Sequence, residues 1–311
     1  MLLCLTVFSW AGAGLADEKL SVVATTGMIA DVTREIGGDH VVVQALMGPG
    51  VDPHAYRQTR SDIVAMTRAD LVLWHGLYLE AQMEDFFGDL SRSRNVVAVA
   101  EAVSPDLLLS DDAYSDKFDP HIWMDPLLWA GIVAPIQDAL TGLAPEGAED
   151  FQRNADIFLA RLTGLATYST AAIETVPEKA RVLLTAHDAF GYFGRAYGFE
   201  VVGIQGISTE SEAGLNRIGE LVDLLVERDI RAVFVESSVS DRNMRALAEG
   251  AAARGHKVII GGELFSDAMG PADTYEGTYI GMMDHNVTTM VSALGGAVPA
   301  RGMNGKLAAG F

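Results

Sequence analysis

Residues 20–46 read LSVVATTGMIADVTREIGGDHVVVQAL, and this stretch decides the fold. Residues 20–24 are a short β-branched run, Met28, Ile29, Val32 and Ile36 recur at helical spacing, and residues 41–46 return to β-branched character. A hydrophobic period that switches from two to 3.6 and back marks a β-α-β unit with parallel strands. The alternation continues with a helix near 61–67, a strand at 71–74, a helix near 80–90 and a strand at 95–100. The first half is therefore expected to be a small parallel sheet wrapped by helices.

A further helix starts near Pro126, and Pro145 interrupts the pattern. From Glu146 to about Thr175, the residues Phe151, Ile157, Leu159, Leu162 and Leu165 keep helical register until Pro177 ends it. Roughly thirty residues at ~1.5 Å each predict a helix about 45 Å long, enough to run the length of two lobes. Beyond it, strands are expected at 181–185, 200–203, 231–235 and 256–260, with helices near 211–227, 241–254 and 275–294; Thr209 and Glu212 form a capping-box pattern at the first of these. The fold class is α/β: an N-terminal β/α lobe (17–145), a linking helix (146–176) and a C-terminal β/α lobe (177–311).

The chain's 311 residues, 49% of them hydrophobic, suffice for two such cores. Its net charge of −20, from 42 acidic against 22 basic residues, opposes binding to nucleic acid or to anionic membrane surfaces and suits a soluble protein that handles cations. Residues 1–16 carry no charge, contain the apolar run 2–10 and end in Gly14-Leu15-Ala16 before Asp17 and Glu18. This reads as a secretory signal peptide, although it lacks the usual Lys or Arg near its start. No later segment has the ~18 apolar residues a span requires. The sole cysteine, Cys4, lies inside the signal segment, too near Met1 for a complete lipoprotein signal unless the true start lies upstream. Export without disulfides points to a bacterial periplasm.

The tripeptide Asp-Pro-His occurs twice, at 52–54 and 119–121. Proline fixes its own backbone and extends the residue before it, so each histidine is presented from a stiff turn. In open α/β sheets ligands sit beyond the carboxyl ends of the strands. In the second half His187 follows the strand at 182–185, and Asp267 lies shortly after the one at 257–260. His54 and His121 from one lobe would then face His187 and Asp267 from the other. Three imidazoles and a carboxylate suit Zn²⁺, or Mn²⁺ if the carboxylate binds through both oxygens. Around them, Asp125 and Asp188 are read as helix caps or as groups orienting ligands, Glu236 as a strand-end acid able to face the cleft, and His75 as a partly buried imidazole or, since it too follows a strand, a residue lining the cleft. His40 is expected to be exposed, His256 to open a strand, His285 to lie in a helix, and Trp123, Trp129, Tyr192 and Phe193 to pack the lobes. A rival reading makes the three histidines the ligands of a secreted zinc hydrolase with Asp267 as general base, but the carboxylate closes the shell and no Gly-x-Ser-x-Gly motif is present.

The segments VATTGMIADV (23–32), GVDPHAY (50–56), DPHIWMDP (119–126), HDAFGYF (187–193) and LFSDAMG (264–270) together resemble the metal-specific solute-binding proteins of bacterial ABC importers, over nearly the whole mature chain. The resemblance implies two β/α lobes joined by one long helix, with one transported Zn²⁺ or Mn²⁺ ion in the cleft. It places the ligands at His54, His121, His187 and Asp267, and implies a monomer that delivers the ion to an inner-membrane permease without performing chemistry; a metal-binding surface adhesin is the family's other use. Many manganese-binding members carry glutamate where this chain has His187, whereas zinc-specific members often have a histidine-rich loop where residues 104–118 are acidic and free of histidine. These two departures leave the metal open.

Overall fold

The computed structural model describes residues 19–110, 117–210 and 214–308. The expected signal peptide with Cys4, and Glu212 of the expected capping box, lie outside these residues. In the first half, β1 (Leu20–Ala24), β2 (Val41–Ala45), β3 (Leu71–Trp74) and β4 (Val96–Ala98) form one parallel sheet in the order β2-β1-β3-β4. The helix α1 (Gly27–Gly37) crosses from β1 to β2. Thr26 caps it by accepting a hydrogen bond from the Ile29 N–H, and its buried face carries Met28, Ile29, Val32 and Ile36. The helices α2 (Arg60–Arg68), which has a Thr59/Asp62 capping box, and α3 (Glu84–Leu90) complete the layer.

The chain then leaves the sheet through α4 (Pro126–Trp129), a 3-10 turn (Ala130–Ile132) and α5 (Val133–Leu143), where one continuous helix was expected. Pro135 accounts for the break. A proline inside a helix would clash with the carbonyl four residues back, so the helix restarts to place Pro135 in its first turn, where no N–H is needed.

The linking helix α6 (Ala148–Glu174) has 27 residues, about 40 Å of rise. Acidic Glu149 and Asp150 in its first turn complement the helix dipole. It packs on α1 and α5 of the first half. Asn154 donates to the Ile36 carbonyl (3.0 Å), Arg161 pairs with Glu35 (2.7 Å), and His40, expected to be exposed, is half-buried against Phe151 with Nε2 2.8 Å from Asp150.

In the second half β5 (Val182–Thr185) pairs in parallel with β6 (Glu200–Gly203), and β7 (Ala232–Glu236) pairs in parallel with β8 (Ile259–Leu264). β5 lies against β7, so the spatial order β6-β5-β7-β8 repeats that of the first half. The covering helices are α7 (Gly191–Tyr197), α8 (Leu215–Glu227), α9 (Arg242–Ala253) and α10 (Tyr279–Ala293), the last packing on α6 from the opposite lobe. One hydrophobic cluster runs through both halves, joining Trp123, Trp129 and Phe158 to Phe190, Tyr279 and Met283.

Several boundaries moved, among them the starts of α3 (Glu84, not 80) and α8 (Leu215, not 211) and both ends of β4 (96–98, not 95–100); two further shifts have visible causes. The helix expected from 275 starts at Tyr279, because Thr278 accepts from the Gly281 N–H as its cap. The strand expected at 256–260 runs instead from Ile259 to Leu264, through Gly261 and Gly262. Glycine there means close packing rather than a turn. A Cβ on Gly261 would stand 2.7 Å from Phe234 Cε1 and 2.8 Å from Ala293 Cβ, and one on Gly262 2.4 Å from Thr289 Cγ2. The shift brings Asp267 to within three residues of the strand end. Gly261→Ala is expected to lower unfolding stability by about 1–3 kcal/mol through this overpacking. Gly88→Ala in α3, whose Cβ would meet nothing within 4 Å, is expected to raise it by about 0.5–1 kcal/mol; denaturant titrations of both variants check the contrast.

Candidate metal centre

Each half delivers two side chains to the cleft, and local hydrogen bonds aim all four. The chain leaves β2, turns at Gly50 (φ 73°) and reaches His54, whose backbone N–H donates to Asp52 Oδ1 (2.9 Å). Asp52 Oδ2 accepts from the Thr209 hydroxyl of the other half (2.5 Å). In the second copy of the tripeptide, Asp119 Oδ1 accepts from both the His121 N–H (2.9 Å) and its Nδ1 (2.7 Å). That double grip leaves Nε2 as the free ring atom of His121 and points it into the cleft.

His187 stands two residues beyond β5, where the Thr185 hydroxyl donates to its carbonyl (2.8 Å). Glu236, the last residue of β7, accepts from the His187 N–H through Oε1 (2.8 Å) and sets Oε2 2.5 Å from Nδ1. Asp267 follows β8 on a segment fixed from two sides. The Asn286 amide brackets Phe265 by accepting its N–H (2.9 Å) and donating to its carbonyl (2.7 Å), and Trp123 Nε1–H of the first half donates to the Ser266 carbonyl (2.8 Å).

The four side chains converge: one donor atom from each of His54, His121, His187 and Asp267 lies within 4.8 Å of the others, and all four residues are buried. The Nε2 atoms of His54 and His121 are 3.2 Å apart. Asp267 Oδ1 is 3.4 Å from His121 Nε2, while Oδ2 is 3.2 Å from His187 Nε2 and 3.9 Å from His54 Nε2. An ion held tetrahedrally by nitrogen and oxygen at 2.0–2.2 Å needs donors about 3.3–3.6 Å apart, so the spacing fits a first-row divalent cation. Neither Asp267 oxygen, nor His187 Nε2, has a hydrogen-bond partner. Buried polar atoms without partners are costly, and here they all face one point.

The electrostatics agree. Burial pushes His54 down to about 3, with the Asp267 charge opposing it. Burial acts on His121 the same way, but Asp119 and Asp267 outweigh it and raise this imidazole to about 9. His187 is likewise raised well above its ordinary range against burial, by Asp267 and Glu236. Burial would raise Asp267, yet His187 and His121 hold its carboxyl well below the usual range. The pocket therefore favours positive charge beside a carboxylate that stays ionised.

The neighbouring residues divide clearly. Glu236 does face the cleft, through His187. Asp125 caps α4 by accepting from the Leu127 N–H (2.9 Å). The Asp188 N–H donates to the Gly206 carbonyl (3.3 Å). His75 is buried beside the site but contributes no atom to the four-residue group. His256 precedes β8 rather than opening it and meets the Ile230 carbonyl (2.7 Å), and His285 lies in α10 and meets that of Glu263 (2.8 Å). Trp129, Tyr192 and Phe193 are buried packing residues, as expected, but Trp123 and Tyr192 also cross between the halves. The Tyr192 hydroxyl donates to the Asp119 carbonyl (2.7 Å). These two, together with Asn286, were not legible as site residues, since aromatic and amide side chains carry no spacing signature.

Over residues 22–293 the chain matches the family described as zinc-uptake complex component A, periplasmic. The chain belongs to that family. It is similar to the manganese-binding lipoprotein MntA of Bacillus subtilis (strain 168), 48% identical over 279 residues that cover 90% of this chain and 91% of that protein. It is equally similar to the zinc-binding protein TroA of Treponema pallidum (strain Nichols), 47% identical over 279 residues with 90% of each covered. The solved structure of the periplasmic zinc binding protein TroA from Treponema pallidum aligns with a TM-score of 0.87 at 46% identity, covering 89% of this chain and 99% of that one. The chain is thus a metal-binding solute-binding protein of an ABC importer, which works with a membrane permease. It is not an enzyme, and the hydrolase reading is set aside.

A histidine whose second nitrogen is held by a carboxylate is a better and better-oriented donor. Glu236→Gln is therefore expected to weaken metal affinity about 10–100-fold while leaving the fold intact, measured by chelator competition alongside thermal melting.

Proposed function

We propose that this protein captures one divalent transition-metal ion, Zn²⁺ or Mn²⁺, between His54, His121, His187 and Asp267 and delivers it to the permease of its importer in the inner membrane. The observation that carries this reading is the convergence of four buried donor atoms, one from each residue, at the spacing a single cation needs. The division of labour follows the chain: a signal peptide over 1–16, an N-terminal lobe over 17–145, a linking helix over 146–176 and a C-terminal lobe over 177–311. The protein works as a monomer in the periplasm, and its charge of −20 keeps it from nucleic acid while favouring cations near its surface.

Both metals fit the donor set. The relatives are named for manganese in one case and zinc in the other. Three imidazoles with one carboxylate oxygen make a four-coordinate zinc shell, and because Oδ1 and Oδ2 both face the imidazoles, the carboxylate can add a fifth donor for manganese. Metal content after native purification, followed by Zn²⁺/Mn²⁺ competition, distinguishes them. His121→Ala is expected to reduce affinity by at least about 100-fold; unchanged binding would sink the ligand assignment.

Release requires at least one donor to leave, and only a small tilt or loop movement is available for it. The continuous core through both halves and the packing of α6 on each lobe support this, because a wide opening would expose the buried cluster. Scattering curves of the metal-free and metal-loaded protein are expected to be nearly superimposable; a large change in radius of gyration would contradict the reading.

A further inference from the structure

Beside the metal centre lies a buried polar network that the four donors do not explain. After β3 the chain passes through Gly76, Leu77 and Tyr78 at φ 84°, 51° and 68°. Two consecutive non-glycine residues in the left-handed region are strained, so something must hold them there. Glu80 does so. Its Oε1 accepts from the His75 N–H (2.8 Å) and the Thr25 hydroxyl (2.6 Å), and its Oε2 accepts from the Gly76 N–H (3.2 Å). Glu80 and Thr25 are fully buried, and the network sits where the first sheet's strand order reverses, between β1 and β3.

The loop so formed fixes His75. Its ring is fully buried, stacked on Trp129 at 6.0 Å and edge-on to Trp123 at 5.1 Å. Its Nε2 lies 2.7 Å from the Pro120 carbonyl. A carbonyl only accepts, so the ring proton is on Nε2 and Nδ1 is bare; Nδ1 has no partner. Burial lowers this imidazole to about 3, which keeps it neutral. If the ring served packing alone, an apolar aromatic residue would stack equally well without the cost of an unsatisfied nitrogen. What the imidazole adds is the bond to Pro120, the middle residue of Asp119-Pro120-His121.

We propose that His75, locked by Glu80, is a positioning residue for metal binding: by holding the Pro120 carbonyl it sets the backbone from which His121 projects. The turn is then gripped at three adjacent points: Tyr192 on the Asp119 carbonyl, Asp119 on the His121 ring, and His75 on the peptide between them. A donor displaced by a fraction of an ångström weakens a preorganised site, because the remaining donors cannot follow it.

The inference rests on the metal reading above, and the test separates the two. Zn²⁺ and Mn²⁺ affinities are measured by chelator competition, and Co²⁺ absorption reports the symmetry of the site. His75→Phe keeps the ring and its stacking but loses the donor. It is expected to weaken binding about 10-fold and to shift the Co²⁺ bands with no loss of thermal stability. His75→Gln, which restores a donor, is expected to recover most of the affinity. Phe87→Leu, in the separate cluster around Met66 and Met83, is expected to lower the melting temperature while leaving affinity and spectrum unchanged. Thr25→Val, which removes one donor from Glu80 at constant shape, gives a second route should His75→Phe not fold, with an expected loss of two- to threefold. Wild-type affinity and spectrum in His75→Phe, or in Thr25→Val where it must substitute, would overturn the proposal, as would an equal loss of affinity in Phe87→Leu. A wild-type protein that binds no Zn²⁺, Mn²⁺ or Co²⁺ would instead overturn the metal reading itself.

Discussion

An ionised carboxylate taken out of water must be met by positive charge, and Asp267 is such a carboxylate. Its oxygens lack hydrogen bonds, so their compensation comes only from the imidazoles around them. Two of those imidazoles belong to the opposite half of the chain. The arrangement therefore exists only when the halves are pressed together, and the cross-links that press them are specific: Trp123 to Ser266, Tyr192 to Asp119, Thr209 to Asp52. A metal ion would satisfy all four candidate donors at once.

The two halves use the same device at different places in their sheets. In each, a buried carboxylate at or beyond the end of the third strand grips a backbone N–H of a histidine. In the second half these are Glu236 and His187, the histidine following the first strand, β5; in the first they are Glu80 and His75, the histidine following the third strand, β3. The second half puts its histidine into the candidate metal group, whereas the first keeps His75 out of it and brings its two donors from the loops after β2 and β4. This difference follows from the chain path: the Asp-Pro-His turns need the length of those loops to reach across the cleft.

Much of the architecture was legible because it rests on local chemistry. The β-α-β period at 20–46, the helical register from Phe151 to Leu165 ended by Pro177, and the proline-stiffened turns at His54 and His121 all depend on residues close in sequence. What was misread depends on residues far apart. The strand expected to end at 260 runs on through Gly261 and Gly262, which pack against Phe234, Ala293 and Thr289. His40 looks exposed until Asp150 arrives 110 residues later. Asp119 and Asp125 are indistinguishable as acids flanking His121, and only the folded backbone decides that one holds the imidazole while the other caps a helix. Glu236 could be placed at a strand end, but its grip on His187 required β5 to lie beside β7.

The donors stand at positions 54, 121, 187 and 267, so no short segment of the chain contains a chelating pair. While it is being made or moved the polypeptide has no affinity beyond that of scattered imidazoles, and raw preference among first-row ions cannot act on it. Selection begins only once the last strand and Asp267 are in place, after nearly all the chain has folded. Any choice among ions is thus made by the folded protein, not by the unfolded chain.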